Sequence, residues 1–321
     1  MTIPFPRVLF LTFLILLVGC KNDSEQQEMP NYKAELAYEI PAALGEGALW
    51  NYKTQQLYWV DIEGFTFNIY DPSNSTNVAI KTPSRAGTVV PYTEDKIIVA
   101  LQDGIHSLNI QTGTTQLITD MAADLEGSRL NDGKCDPSGR LWVGSMHFNQ
   151  IEGAANLFMI NKDSSYVKKK EQVTISNGIV WSKDKQTMYY IDTPSLEIKA
   201  YDYDNANGEI SNERIAVKIP KELGSPDGMT IDGEDKLWVG MWGGNAVLRF
   251  DPESGEVIAK VAVPAKNVTA CAFGGKDLDT LYITTSSLGM TDEEQEKYPL
   301  AGSIFKVVPG AKGVHANFFK Q

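Results

Sequence analysis

Six short apolar runs recur along the chain at near-constant spacing, and this repetition constrains the fold more than any other feature. The runs are Leu57-Tyr-Trp-Val-Asp61, Ile97-Ile-Val-Ala-Leu101, Leu141-Trp-Val-Gly144, Met188-Tyr-Tyr-Ile-Asp192, Leu237-Trp-Val-Gly240 and Leu281-Tyr-Ile-Thr284. Their first residues stand 40, 44, 47, 49 and 44 positions apart. A period of about 40–50 residues is that of a four-stranded propeller blade. Strand-like pieces fill the intervals, among them Phe67–Tyr70, Ala155–Ile160, Lys199–Tyr201, Ala246–Phe250 and Ser303–Val308. Turn residues separate them, as in Asp71-Pro72, Pro137-Ser-Gly139, Asn207-Gly208 and Asp251-Pro-Glu-Ser-Gly255. Long amphipathic helical periodicity is almost absent. The spacing predicts an all-β chain, a six-bladed β-propeller in one domain over residues 34–321.

Composition narrows what such a propeller could do. With 42% apolar and 22% charged residues, the 321-residue chain can build a sizeable core. Its net charge of −12, with no basic run beyond Lys168–Lys170, would repel a phosphate backbone, so no nucleic-acid partner is expected. Only three histidines are present, so a bound metal would be held mostly by oxygen. Three cysteines cannot form a disulfide scaffold, and Cys135 and Cys271 sit in apolar, strand-like settings that suit buried free thiols.

The N-terminus reads as a processing segment. Met1–Arg7 carries one positive charge, Val8–Val18 is an apolar run too short for a membrane span, and Leu17-Val-Gly-Cys20 follows. That ending resembles the lipobox of bacterial lipoproteins. The resemblance implies a signal peptide over residues 1–19, lipidation at Cys20, and a mature chain of 302 residues with a charge of −13. Residues 20–33 then form a flexible tether. The expected location is the cell envelope, on a periplasmic or surface face, with the lipid as the one membrane contact.

In register, the repeats yield a candidate site. Upstream of the apolar runs lie Gly45-Glu46-Gly47, Arg85-Ala-Gly87, Asn131-Asp132-Gly133, Ser176-Asn177-Gly178, Pro226-Asp227-Gly228 and Thr269-Ala-Cys271, each expected to start an innermost strand. Glu46 precedes its run by 11 residues, Asn131 by 10, Asn177 by 11 and Asp227 by 10. Equal offsets in equivalent blades put these four side chains at one height around the central channel. Asn-Gly and Asp-Gly are also ordinary turn dipeptides, but four in one register favour a shared site. Two carboxylates converging alone would repel, and one divalent ion with waters completing its shell resolves this. Strand topology adds His147, Trp242 and Ser286 as rim residues, with His147 a candidate substrate contact. Asp132 suits either a turn or a site role.

The motifs Gly45-Glu46-Gly-Ala-Leu-Trp50, Arg129-Leu-Asn131-Asp132-Gly-Lys-Cys-Asp136-Pro-Ser-Gly139, Ile175-Ser-Asn177-Gly178, Tyr190-Ile-Asp192, Pro226-Asp227-Gly228 and Cys271-Ala-Phe-Gly-Gly275 occur in order. Through them the chain resembles the senescence marker protein/regucalcin/gluconolactonase family over nearly all of Ala34–Val314. The resemblance implies a six-bladed propeller, one divalent ion and hydrolysis of a small-molecule sugar lactone. It carries the metal ligands to Glu46, Asn177 and Asp227, and the substrate contacts to Arg129 and Asn131. Ca²⁺ and Zn²⁺ lead as the ion, with Mn²⁺ and Mg²⁺ as alternatives. Asp227 is also the candidate general base toward water. One departure leaves the preferred sugar open: Gly144-Ser-Met-His-Phe-Asn149 contains no acid, and none follows until Glu152. No Gly-x-Ser-x-Gly elbow or His-Glu-x-x-His zinc motif occurs, and Asp202–Gly208 reads as a surface hairpin turn rather than a calcium loop. Two classes stay open. One is a metal-dependent lactonase, with arylesterase or phosphotriesterase chemistry on the same fold beside it. The other is a non-catalytic calcium- or sugar-binding propeller. A monomer is expected.

Overall fold

The computed structural model describes residues 1–5 and 29–320, so the expected cleavage site, Cys20 and most of the tether lie outside the described residues. Each repeat folds into an antiparallel meander that runs outward from the axis. In blade 1 the order is Gly45–Asn51, Gln56–Asp61, Thr66–Asp71 and Thr76–Lys81. The recurrent apolar runs are the second strands of all six blades. A second strand is flanked within its sheet and covered on both faces by adjacent blades, so it is apolar throughout rather than alternating. Trp142 and Trp238 occupy equivalent places there, Trp59 lies one position further along its run, and all three are fully buried. Outer strands such as Thr76–Lys81 are largely exposed, with Asn77 and Ile80 half-buried in this one. Among the described residues the one α-helix is Asp292–Lys297, which leaves the architecture all-β.

The ring closes with strands from both chain ends. The last blade takes Asn267–Gly274, Thr280–Ser286 and Ile304–Val307 from the C-terminal end and Glu35–Tyr38 as its outer strand. Glu35 and Leu36 pair there with Lys306 and Phe305. Just before it, Asn31–Lys33 pairs in parallel with Val257–Ala262 as a fifth strand on blade 5. The residues expected to end a tether at position 33 therefore already belong to a sheet, and the propeller starts at Asn31. Cys135 and Cys271 are buried free thiols, as expected.

Five of the six innermost strands contain a one-residue bulge at the height of the candidate site. Glu46 pairs with Val60 but Leu49 with Tyr58, and Leu130 with Ser145 but Gly133 with Val143. The same three-against-two count holds between Ser176 and Ile179, Pro226 and Met229, and Val268 and Cys271. The Asn-Gly and Asp-Gly pairs thus sit inside strands as bulges, not at hairpin tips. An added Cβ on Gly228 would stand 2.7 Å from the Ala270 Cβ, and one on Gly178 2.9 Å from the Asp227 carbonyl oxygen, so these bulges need glycine for close approach of neighbouring blades. Bulges of this kind re-aim side chains, and they favour active-site edges of sheets.

Candidate active site

Glu46, Asn131, Asn177 and Asp227 do converge. They are 7%, 6%, 4% and 5% exposed and line one cleft of about 700 Å³ at one end of the channel. A relay of hydrogen bonds fixes the amides. Arg129 Nη1 donates to Asn131 Oδ1 at 2.5 Å and to the Leu130 carbonyl at 3.1 Å. Asn131 Nδ2 donates to the Ser176 carbonyl at 2.7 Å and to Asn177 Oδ1 at 3.0 Å. Asn177 Nδ2 then donates to Thr193 Oγ1, whose hydroxyl donates to the Pro226 carbonyl, both at 2.7 Å. Both amide nitrogens are therefore engaged by protein acceptors. Each side-chain oxygen accepts one of these bonds, Asn131 Oδ1 from Arg129 and Asn177 Oδ1 from Asn131, and each keeps a second lone pair.

The electrostatics of the cleft are those of crowded acids. Burial, then the charge of Asp132, raises the Glu46 carboxyl above its ordinary range. Burial, then the charges of Glu46 and Asp132, raises the Asp227 carboxyl well above its ordinary range. Burial lowers Arg129 to about 10, with Glu46 opposing the fall, so the guanidinium stays charged at neutral pH. Among the described residues no three His, Cys, Asp or Glu side chains gather as a metal site. What the cleft offers is two carboxyls and an amide oxygen. That is a hard, oxygen-only donor set, and a divalent cation there would offset the burial and the neighbouring negative charge that hold both acids up.

The remaining rim assignments divide. Trp242 lines the cleft, as expected. His147 does not: along its strand, side chains alternate, so Met146 and Phe148 face the cleft while His147 turns toward Gly127 and accepts a hydrogen bond from the Asn149 amide. Ser286 is fully buried and donates to the Ala43 carbonyl, and Leu288 takes its expected place on the rim. Asp132 lies below the cleft, where one carboxylate oxygen accepts from the Gly133 amide and the other has no hydrogen-bond partner.

Glu63, Arg85 and Thr193 also line the cleft and had not been singled out for the site. Glu63 forms a bidentate pair with Arg85, at 2.9 and 2.8 Å, and Arg85 is held between the rings of Phe65 and Phe148. Arg85 belongs to the register segment of blade 2, which was the available signal. Glu63 follows a strand end with no motif to mark it. Thr193, directly after the blade 4 run, follows the same rule that nominated Trp242.

The SMP-30/gluconolactonase/LRE-like region model matches residues 44–287. A Bacillus subtilis protein named "Putative sugar lactone lactonase YvrE" is 42% identical over 272 residues, covering 85% of this chain and 93% of its own. Regucalcin of Xenopus laevis is 35% identical over 298 residues, covering 91% and 99%. Among solved structures, the calcium-binding protein regucalcin from Agrobacterium tumefaciens superposes with a TM-score of 0.86 at 26% identity, covering 91% of this chain and 99% of its own.

Proposed function

Because the chain belongs to the SMP-30/gluconolactonase/LRE-like family, we propose that it hydrolyses sugar lactones in this cleft with one divalent metal ion held by Glu46, Asn177 and Asp227. The observation that carries the reading is the meeting of two carboxyls, an amide oxygen with one lone pair left and a charged guanidinium on four different blades. A bound cation would supply Lewis-acid polarisation of the lactone carbonyl. The chain's own groups do the rest. Arg129 uses Nη1 on the protein, so its Nε and Nη2 hydrogens are free to orient the lactone oxygens. Asn131, pinned by Arg129 and Asn177, holds that guanidinium in place. Asp227 takes the proton of the attacking water as the new C–O bond forms, and gives that same proton to the departing alkoxide as the ring C–O bond breaks. The Glu63–Arg85 pair offers carboxylate acceptors and guanidinium donors at the rim, which suits a hydroxylated substituent, while Phe148 and Trp242 supply apolar wall for ring carbons.

Purified protein, stripped by chelator and reloaded with Ca²⁺, Zn²⁺, Mn²⁺ or Mg²⁺, would be assayed on glucono-δ-lactone, a xylonolactone and phenyl acetate. Lactone turnover that vanishes with chelator and returns with metal supports the reading. Turnover of phenyl acetate alone transfers it to an arylesterase. Metal binding without turnover of any of these substrates transfers it to a binding protein.

A further inference from the structure

On one side the cleft runs out into a groove that hydrolysis of a single lactone ring does not use. Gln150, Ile175 and Pro194 line both spaces, and past them the groove opens between blades 3 and 4 with a volume of about 760 Å³. Three stretches at the cleft end of the blades build it. The loop from Leu141–His147, the second strand of blade 3, to Ala155–Ile160, the third, supplies Gln150 and Glu152. The end of the outer strand, Tyr166–Val173, supplies Gln172. The end of the blade 4 run, Thr187–Asp192, and the turn after it supply Asp192, Pro194 and Ser195. The first acid after Gly144–Met146, Glu152, therefore stands in this groove and not in the cleft.

Size and chemistry both point to a second sugar unit. At about 30 Å³ for each water, the cleft of about 700 Å³ has room for roughly 23 non-hydrogen atoms, about twice the twelve of a hexonolactone. A single ring held at Glu46, Asn177 and Asp227 leaves the way toward Gln150 and Pro194 unfilled. The groove lining holds two carboxylates and no Lys, Arg or His, so it suits hydrogen-bond donors and repels anions. Gln150, Glu152 and Gln172 are exposed, and their side-chain polar groups have no partner among the described residues. Asp192 is held in place: it accepts from the Thr174 amide at 3.1 Å and from the Ile175 amide at 2.9 Å. A carboxylate has room for further donors beyond these. Half-buried Ile175 and exposed Pro194 add apolar surface at the junction. Accessible amide and carboxylate groups around a small apolar surface match a sugar ring, with hydroxyls at its edge and C–H groups on its faces.

We propose that this groove is a subsite for a second sugar unit, seated against Gln150, Glu152, Gln172 and Asp192, so that the substrates of the cleft are aldobionolactones; the proposal rests on the lactonase reading above. The probes are cellobiono-δ-lactone and glucono-δ-lactone, assayed on the full chain loaded with Ca²⁺. Their hydrolysis products, cellobionate and gluconate, are titrated by calorimetry against the same protein. The disaccharide lactone should have a kcat/KM at least about tenfold higher, and cellobionate should bind at least about tenfold tighter than gluconate, as two or three added hydrogen bonds give. Glu152→Ala and Gln172→Ala remove exposed side chains that make no bond to the protein, so thermal unfolding should not change. Each should lower the preference for the disaccharide about three- to tenfold, and the double variant should abolish it. If glucono-δ-lactone is hydrolysed and the disaccharide lactone is no better a substrate, the groove proposal falls while the lactonase reading stands. It falls likewise if the variants lower both rates alike. If neither lactone is hydrolysed, the lactonase reading fails and the titration decides the groove. Equal binding of cellobionate and gluconate then overturns the subsite, whereas tighter binding of cellobionate, lost in the double variant, upholds it.

Discussion

Arg129→Ala separates substrate handling from metal holding, because guanidinium is a poor metal ligand. In the native site Arg129 is almost fully buried, with Nη1 shared between Asn131 Oδ1 and the Leu130 carbonyl. Truncation removes the donors proposed to meet the lactone. A lost hydrogen bond to a charged group costs about 1.5–3 kcal/mol, or roughly ten- to a hundredfold in kcat/KM. It also orphans the Asn131 oxygen, at a cost of about 1–3 kcal/mol, partly offset because the guanidinium no longer has to be buried. The melting temperature should fall by no more than a few degrees. Metal affinity should hold or tighten, since a positive charge that lies near Glu46 and Asp227 and repels a cation has gone. Initial rates on glucono-δ-lactone, read beside elemental analysis of the same samples, decide the matter. Wild-type efficiency in Arg129→Ala would refute the substrate role, and loss of metal together with rate would show that Arg129 acts by building the cation site instead.

Glu46→Gln removes one of two carboxylates from the proposed donor set and should weaken Ca²⁺ binding by at least tenfold in a calorimetric titration, with the thermal unfolding profile kept. Asp136→Ala should cost roughly 3–5 kcal/mol in urea unfolding, because it leaves the buried Arg140 guanidinium without the carboxylate that it meets at 2.6 Å. Burial works against ionised Glu213, but Lys170, Lys199 and the Tyr201 hydroxyl outweigh it and hold its pKa at about 2. The stability this contributes should be complete above the ordinary glutamate range and fade as pH falls toward 2, so Glu213→Gln should flatten that part of an acid-unfolding curve. At the N-terminus, Cys20→Ala should release the protein from membrane fractions into a soluble or unprocessed form, and wild-type protein found unacylated in the cytoplasm would refute the lipoprotein reading.

Blade number and second strands could be read from sequence because a strand covered on every side has to be apolar at each residue, and four or five such residues form a local signal. Ring closure could not. Glu35 and Leu36 pair with Lys306 and Phe305, about 270 residues away, and nothing local in either segment marks the partner. His147 shows a different limit. Counting residues beyond an apolar run locates the rim but not the side of the strand, and an error of one position turns a side chain away from the cleft. That is the whole difference between His147 and Phe148.

The bulges explain why register counting nevertheless worked for the four central residues. Regular alternation would give each innermost strand a single sequence of inward and outward positions, leaving little freedom to place a polar group at the channel end while keeping apolar contacts between blades beyond it. One extra residue at Asn131, Asn177 and Asp227 resets that alternation locally, so the polar side chain meets the axis and the strand resumes its packing two residues later. Gly178 and Gly228, which follow Asn177 and Asp227, are the steric condition for the reset there, since the neighbouring blade approaches too closely for a Cβ, and in blade 3 Gly133, two residues after Asn131, is crowded instead by its own second strand. The sixth innermost strand, Thr88–Pro91, pairs without a bulge and starts after Arg85-Ala-Gly87 instead of within it. No residue of that strand lines the cleft. Its arginine reaches the rim beside Glu63 instead, so the one irregular blade provides the edge of the cleft that differs in character from the rest.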